Sequence, residues 1–289
     1  MTLAAGIDVG GTKILGVVLD ERGQIVAQQR RPTPKGGDNV IQELVDLARD
    51  LGPYESLGVG VPGLVTRTGV LRAAPNLADA HELAVRPKLE EMLGHPVSVD
   101  NDATCAMLAE WHHGAARGFD DVVLVALGTG IGGGLVMGGV LQRGTNGFAG
   151  EIGHMVVQPD GLHCVCGRRG CWERYASGSG LQMLAGGVRG EDVIIAARSG
   201  DAESLAVIDT FARWVAIGLA NLTNLLDPAA IVLGGGLAAA PDIFLGPIQR
   251  EFGSLLYAPK HRPHPHLAFA ELGEHAGAIG AALLPTIHA

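Results

Sequence analysis

The chain has 289 residues, 47% of them apolar, and a formal net charge of -9. The acidic balance, with basic residues scattered rather than striped, disfavours a nucleic-acid binder, which needs a cationic face for the phosphates. The length exceeds what one core usually supports and predicts two domains, while no apolar run is both long enough and free enough of glycine to span a membrane.

Met1 to Ala5 is a short apolar run without a basic start, unlike a secretory leader, and places the protein in the cytoplasm. Leu3 to Val9 reads as a buried strand, Gly10-Gly11 as a turn, Ile14 to Leu19 as its partner and Gln24 to Gln29 as a third strand. Asp38 or Asn39 caps a helix whose apolar positions Ile41, Leu44, Val45, Ala48 and Leu51 recur at helical spacing. Leu57 to Val61 is a strand closed by Pro62-Gly63. Pro87 sits in the first turn of a helix that ends at Gly94. Val97 to Val99 is a short strand, and Asn101-Asp102 starts a helix toward Trp111. After Gly114 the pattern restarts with a strand over Val122 to Leu127, a glycine turn and a return strand over Gly134 to Met137. A long amphipathic helix begins near residue 205, with Ile208, Phe211, Val215, Leu219, Leu222 and Leu226 as its buried stripe, and stops at Asp227-Pro228. Ala230 to Leu233 is a strand running into Gly234-Gly235-Gly236, and Ala276 to Leu284 is the last helix. The domains are therefore placed at 1–116, with 275–289 packing back on it, and at 117–274. Strand, glycine turn, strand occurs in both, so a duplicated α/β unit is one reading; the other is that two hairpins look alike because hairpins do.

The glycine turns carry the first chemistry. Gly128-Thr129-Gly130-Ile131-Gly132-Gly133 matches the dinucleotide fingerprint in letters, but a strand follows where that motif needs a helix. What remains is a turn whose backbone N–H groups can cradle phosphate oxygens. Asp8-Val9-Gly10-Gly11-Thr12-Lys13 is its counterpart, with Asp8 at a strand end able to hold magnesium through water. Asp102, at a helix N-terminus, is either part of a capped turn or a base able to take a proton from a hydroxyl. Pro75-Asn76 offers another amide in a loop.

Three of the four cysteines, Cys164, Cys166 and Cys171, crowd into one glycine-punctuated segment flanked by Glu151 and Glu173. Thiolates are soft zinc ligands, and a tetrahedral site needs a fourth, from His154 or His163. Zinc is favoured over a disulfide, which needs an oxidising compartment, and over inert buried thiols. Ser177-Gly178-Ser179-Gly180 lacks the frame of a hydrolase elbow, and His261-Arg262-Pro263-His264-Pro265-His266 reads as a surface loop.

Taken together, Asp8-x-Gly-Gly-Thr-Lys13, Gly60-Val-Pro-Gly63, Pro75-Asn76, Asn101-Asp102, Leu127 to Gly134, Glu151-x-Gly-His154, Cys164-x-Cys-Gly-x-x-Gly-Cys171-x-Glu173 and Gly234 to Gly236 resemble the ROK family (repressors, open reading frames and kinases), and within it the bacterial glucokinases. The resemblance implies the actin-like, ribonuclease H-like ATPase fold, two α/β domains around a cleft. It implies Asp102 as catalytic base and Gly63, Asn76, Asn101, Asp102, Glu151, His154 and Glu173 as sugar contacts. It assigns the nucleotide to Asp8, Gly10, Gly11, Thr12, Lys13, Gly128, Thr129, Gly130, Gly132, Gly133 and Gly234 to Gly236. His154, Cys164, Cys166 and Cys171 become ligands of a structural zinc ion, with magnesium accompanying ATP. The implied substrate is glucose, with mannose, N-acetylmannosamine, N-acetylglucosamine, fructose and allose as alternatives, and polyphosphate as an alternative donor. A homodimer or homotetramer is the implied assembly. A sugar-responsive repressor is the rival reading; it needs a helix-turn-helix ahead of the first strand, for which Leu3 leaves no room.

Overall fold

The computed structural model describes residues 3–74 and 81–287. Its elements run in chain order β1 (Ala4–Val9), β2 (Lys13–Leu19), β3 (Ile25–Pro32), α1 (Gly37–Asp50), β4 (Ser56–Val61), β5 (Leu64–Val65), β6 (Leu71–Ala73), α2 (Val85–Leu93), β7 (Ser98–Asn101) and α3 (Asp102–His113). There follow β8 (Val122–Leu127), β9 (Ile131–Met137), β10 (Val140–Leu141), α4 (Glu173–Ala176), α5 (Gly178–Leu184), α6 (Gly190–Arg198), α7 (Ala202–Leu226), β11 (Ala230–Gly234), α8 (Pro241–Leu255), β12 (His266–Phe269) and α9 (Ala276–Ile287). Two compact units result: Met1–Arg117 with Leu141–Gly150 and Glu274–Ala289, and Gly118–Val140 with Glu151–Gly273. The boundary drawn from the sequence did not give Leu141–Gly150 to the first unit; nothing in its local pattern marks that return.

The first unit is built on a sheet in the order β3-β2-β1-β4-β7. β2 runs antiparallel to β1 and β3, and β1, β4 and β7 run parallel. The alternation of side chains along a strand decides what each face carries. Ala5, Ile7 and Val9 of β1, Leu57, Val59 and Val61 of β4, and Val99 of β7 enter the core shared with α1 and α2. The intervening positions face α3 and α9. There glycine is required by close approach: a Cβ on Gly58 would lie 1.8 Å from the Ala281 carbonyl oxygen, and one on Gly6 would lie 2.0 Å from that of Ala278. Asp8, Gly60 and Asp100 are register partners and form one row across this face. α1 is capped by Gly36 at φ 90°, with no side-chain cap. Asp38 falls inside the first turn, and the Asn39 amide donates to the Lys35 carbonyl, so neither is the expected cap.

The second unit repeats the plan with a sheet in the order β10-β9-β8-β11-β12, in which β9 is antiparallel to β8 while β8, β11 and β12 are parallel. β9 starts at Ile131, three residues before the expected position, because Gly132 and Gly133 pair with Ala126 and Val125. The core gathers Val123, Val125, Ile231 and Leu233 against Trp172, Phe211, Val215, Leu219 and Phe244. α7 is, against expectation, long and apolar enough to cross a membrane by length and composition. Its Phe211, Val215 and Leu219 are buried in this core, and its polar side meets α8 through Arg213–Glu251 and Asp209–Arg250 ion pairs, each 3.1 Å.

Candidate functional site

In the first unit, the turn from β1 to β2 holds Gly10, Gly11, Thr12 and Lys13. The Gly10 N–H donates to the Lys13 carbonyl at 2.9 Å, Thr33 Oγ1 donates to the Gly10 carbonyl at 2.7 Å, and the Thr33 N–H donates to the Thr12 carbonyl at 3.1 Å. The turn is thus braced from β3, while Gly11, Thr12 and Lys13 stay exposed. Lys13 Nζ engages Glu274 Oε2 at 2.6 Å, and Arg30 engages the other oxygen at 2.5 Å.

Asp8 projects from β1 onto the α3–α9 face, and Gly277 makes room for it: a Cβ there would stand 2.5 Å from the carboxyl carbon. Asp8 Oδ1 is buried without a hydrogen-bond partner. Burial, reinforced by the negative charge of Asp102 and opposed by Lys13, raises the Asp8 carboxyl to about 7. A buried, orphaned carboxylate oxygen suits a hard cation or its water.

α3 begins where β7 ends. The Asn101 side chain caps it, Oδ1 accepting from the Thr104 N–H at 3.0 Å, while Nδ2 donates to the Gly63 carbonyl at 3.1 Å. Gly63 has φ 98°, and a Cβ there would meet the Ala73 carbonyl oxygen at 2.2 Å. Asp102 is the first helical residue; its Oδ1 accepts from the Ala103 N–H at 2.8 Å. Burial pushes its carboxyl up, with the Ala103 N–H opposing. Asn76, the remaining expected sugar contact of this unit, lies outside the described residues.

In the second unit, the Gly128–Gly130 turn joins β8 to β9, the Gly128 N–H donating to the Gly130 carbonyl at 3.0 Å. It is held from α5. The Gly178 N–H donates to the Gly128 carbonyl at 2.8 Å, and Ser179 Oγ donates to the Thr129 carbonyl at 2.9 Å. Ser179 therefore bears on the turn, although the sequence singled it out only for a hydrolase frame it lacks. Of the glycines expected at the nucleotide, Gly132 and Gly133 are strand residues rather than turn residues. Gly234 ends β11. Gly235, at φ 78°, passes so near Leu127 that a Cβ would lie 2.5 Å from its carbonyl, and Gly236 opens a short 3-10 turn.

The cysteine segment folds into a compact loop. The Cys164 N–H donates to the Arg168 carbonyl at 2.8 Å, the Gly170 N–H to the Leu162 carbonyl at 2.8 Å, and the Leu162 N–H to Tyr175 Oη at 2.7 Å. Gly170 has φ 76°, and a Cβ there would collide with the Gln158 carbonyl at 1.8 Å. One ligand atom from each of His154, Cys164, Cys166 and Cys171 falls within 4.8 Å of the others, with all four cysteines of the chain free. Three sulfurs and an imidazole at that spacing fit a tetrahedral zinc ion. His163 is engaged elsewhere, its Nε2 2.5 Å from Arg169 Nη2.

The carboxylates sit against this cluster. Glu173 Oε1 is 2.9 Å from Cys164 Sγ and 3.7 Å from His154 Nδ1; Glu151 Oε2 is 3.8 Å from His154 Nε2. Burial, then the Glu173 carboxylate, push the Cys164 thiol up. A Cβ on Gly130 would be 2.6 Å from Glu173 Oε2, so the glycine turn and the carboxylate are immediate neighbours.

The ROK family profile matches residues 4–286. A glucokinase of Streptomyces coelicolor is 36% identical over 308 residues, spanning 98% of this chain and 97% of that protein. The xylose repressor of Bacillus subtilis is 31% identical, spanning 96% of this chain and 75% of the repressor. The crystal structure of a ROK family glucokinase from Streptomyces griseus in complex with glucose and AMPPNP superposes with a TM-score of 0.88 at 37% identity, covering 98% of this chain and 99% of that one. The fold is accordingly the actin-like ATPase fold, which accounts for the repeated sheet order of the two units. On the match along nearly its whole length, the chain is a member of the ROK family.

Proposed function

We infer that the chain is a sugar kinase, transferring the γ-phosphoryl group of ATP to the 6-hydroxyl of glucose to give glucose 6-phosphate and ADP. The observation that carries the reading is Asp102: a carboxylate at the start of α3, held through one oxygen by the Ala103 N–H and raised by burial toward the range of a working base. Full-length likeness to a glucokinase solved with glucose and a nucleotide analogue supports both substrates.

In this reading Asp102 accepts the proton from the sugar O6 as that oxygen bonds to the γ-phosphorus. The bond from the γ-phosphorus to the bridging oxygen breaks, and its electron pair leaves with ADP. Positioning and charge neutralisation supply most of the catalysis. Asn101 fixes the Asp102 turn and offers an amide to the sugar; in the second unit Glu151, His154 and Glu173 take sugar hydroxyls. The two glycine turns take phosphate oxygens. Asp8 would hold magnesium, which when bound offsets negative charge on the phosphates. His154, Cys164, Cys166 and Cys171 would hold zinc, and with four protein ligands that ion has structural value alone. His154 Nδ1 faces the cysteines and Nε2 faces Glu151, so fixing one nitrogen orients the other toward substrate.

A coupled assay of ADP release with glucose, mannose, N-acetylmannosamine, N-acetylglucosamine and fructose, each with ATP or polyphosphate, tests the reading. Glucose with ATP is expected to give the largest kcat/KM. No sugar-dependent ADP release anywhere in the panel would remove the kinase reading.

A further inference from the structure

Asp100 is a buried carboxylate that the proposed chemistry does not use. It lies on β7, in the sheet row that runs Asp8, Gly60, Asp100, and is fully buried. Asp8 and Asp100 thus stand two strands apart on one face, roughly 10 Å at the usual strand spacing. Cys105 of α3 fills the space above Gly60: a Cβ on Gly60 would be 3.2 Å from its sulfur and 3.5 Å from Asp8 Oδ1. The charges of Asp8, Asp100 and Asp102 all bear on that thiol, and so does one cation, Arg143.

Arg143 belongs to the segment Leu141–Gly150, which clusters with the first unit although the sequence on either side belongs to the second. Its Nε is 2.6 Å from Asp100 Oδ2, with side chains 9% and 1% exposed. Two more contacts seat the segment. Arg67 Nη1 donates to the Gly144 carbonyl at 3.1 Å, and Gly147, at φ 96°, lies so close to β5 that a Cβ would stand 2.4 Å from the Val65 carbonyl. The other oxygen of Asp100 accepts from the Asn101 N–H at 2.8 Å. Asn101 in turn caps α3 and donates to Gly63. One chain of contacts therefore runs from Arg143 through Asp100 to the Asn101–Asp102 turn.

We propose that Arg143 is a positioning residue for phosphoryl transfer: through Asp100 it fixes the turn that aims Asp102. Burial raises the Asp100 carboxyl and the Arg143 charge opposes it; the ion pair through one oxygen also fixes the side chain whose other oxygen accepts from the Asn101 N–H. The inference rests on the kinase reading, with Asp102 as its base.

The test compares wild type with Arg143→Met, Arg143→Lys, Asp100→Asn and the Asp100→Asn/Arg143→Met double variant. Arg143→Met is expected to lower kcat by about 10–100-fold, the scale of a misaimed catalytic group, with KM for ATP held within about twofold. Arg143→Lys should recover part of kcat. The double variant removes both buried charges, so its melting temperature should return toward wild type while its kcat stays as low as in Arg143→Met. A double variant with wild-type kcat would show a purely structural pair and overturn the proposal, as would a folded Arg143→Met with unaltered kcat. Amide hydrogen exchange gives a readout independent of activity: residues 99–104 should exchange about tenfold faster or more in Arg143→Met, with α1 unchanged. Unchanged exchange at 99–104 also overturns it. Failure of the kinase reading looks different, since wild type itself would then make no sugar phosphate.

Discussion

Asp8 shows how a single strand position acquires a function. The period of two along β1 sends Ile7 and Val9 into the α1 core and leaves Asp8 on the opposite face, against Gly277. Its carboxyl is raised from 3.8 to about 7, by burial first and by Asp102 second. A carboxyl raised on folding is held more tightly as the acid, so its contribution to stability is full below about 4, declines as the pH rises and is gone once the pH passes 7. Asp8→Asn cannot ionise. Its stability relative to wild type should therefore increase between pH 4 and pH 8 by on the order of a few kcal/mol. Urea denaturation in magnesium-free buffer measures this, and a difference that stays flat across that range would contradict the assigned environment. Asp102 carries a kinetic prediction instead: Asp102→Asn should cost roughly 10²–10⁴-fold in kcat with sugar affinity retained, checked by steady-state rates alongside calorimetric glucose binding. Turnover close to wild type would take Asp102 out of its role. Asp8, Asn101 and Asp102 were legible in the sequence because each sits at a strand end or helix start that turn chemistry marks. Arg143 and Asp100 were not, since an ion pair between residues 43 apart in the chain leaves no spacing signal.

At the level of elements, periodicity served where elements were long. β1, β2, α1 and α7 announce themselves through two-residue or 3.6-residue apolar spacing. α4 and α5 span 4 and 7 residues, too few turns to display a period. α8 carries Pro247 within it and Pro241 at its start, residues that read locally as breaks, and it is held by Phe244, Ile248 and Phe252 in the core of the second unit. The cysteine loop was legible for a chemical reason: Cys164, Cys166 and Cys171 have no shared core period and sit among glycines. What could not be read was the support from Tyr175 Oη and the burial of Trp172, which fits only because Gly218 leaves 2.0 Å between its absent Cβ and the indole. The loop should depend on metal. Cys166→Ser is expected to lose the ion, lower the melting temperature and weaken glucose binding as His154 loses its anchor; elemental analysis finding no zinc in the purified wild type would defeat this. α9 allows a metal-free prediction. Gly58→Ala must drive a methyl group into the Ala281 carbonyl at 1.8 Å, so stability should fall by roughly 1–3 kcal/mol or more, as overpacking does. Equal denaturant midpoints for variant and parent would mean that the α9 contact is looser than described.

The whole molecule repeats one plan: two sheets of the same strand order, each opening on an antiparallel pair joined by a glycine turn and continued by parallel strands. That repetition was visible in the sequence only as an echo between two hairpins. It becomes an argument once parallel strands follow each hairpin, because ordinary hairpins have no reason to share what comes next. The tips of the turns stand outside the packing: Gly11, Thr12 and Thr129 are exposed while the strands they join are largely buried. Residues kept out of the core remain available to a ligand, and a ligand that binds only the folded chain stabilises it by mass action. At a hundred times its dissociation constant that amounts to about 2.7 kcal/mol, several degrees in melting temperature for a chain of this size. Glucose should therefore raise the midpoint, and it should do so without nucleotide, since in the proposed reading Glu151, His154 and Glu173 meet sugar hydroxyls without help from a phosphate. Glu173→Gln should abolish most of the glucose shift: a neutral amide is a weaker acceptor for a sugar hydroxyl, and it replaces the carboxylate beside Cys164 Sγ at 2.9 Å. The shift produced by ATP with magnesium should largely survive that substitution, because the Asp8 carboxylate and the Gly10–Lys13 turn are untouched and the amide keeps the carboxylate's shape beside the Gly130 turn. Thermal scans of both proteins with each ligand separate these effects, and loss of both shifts together would mean that Glu173 supports the fold rather than the sugar.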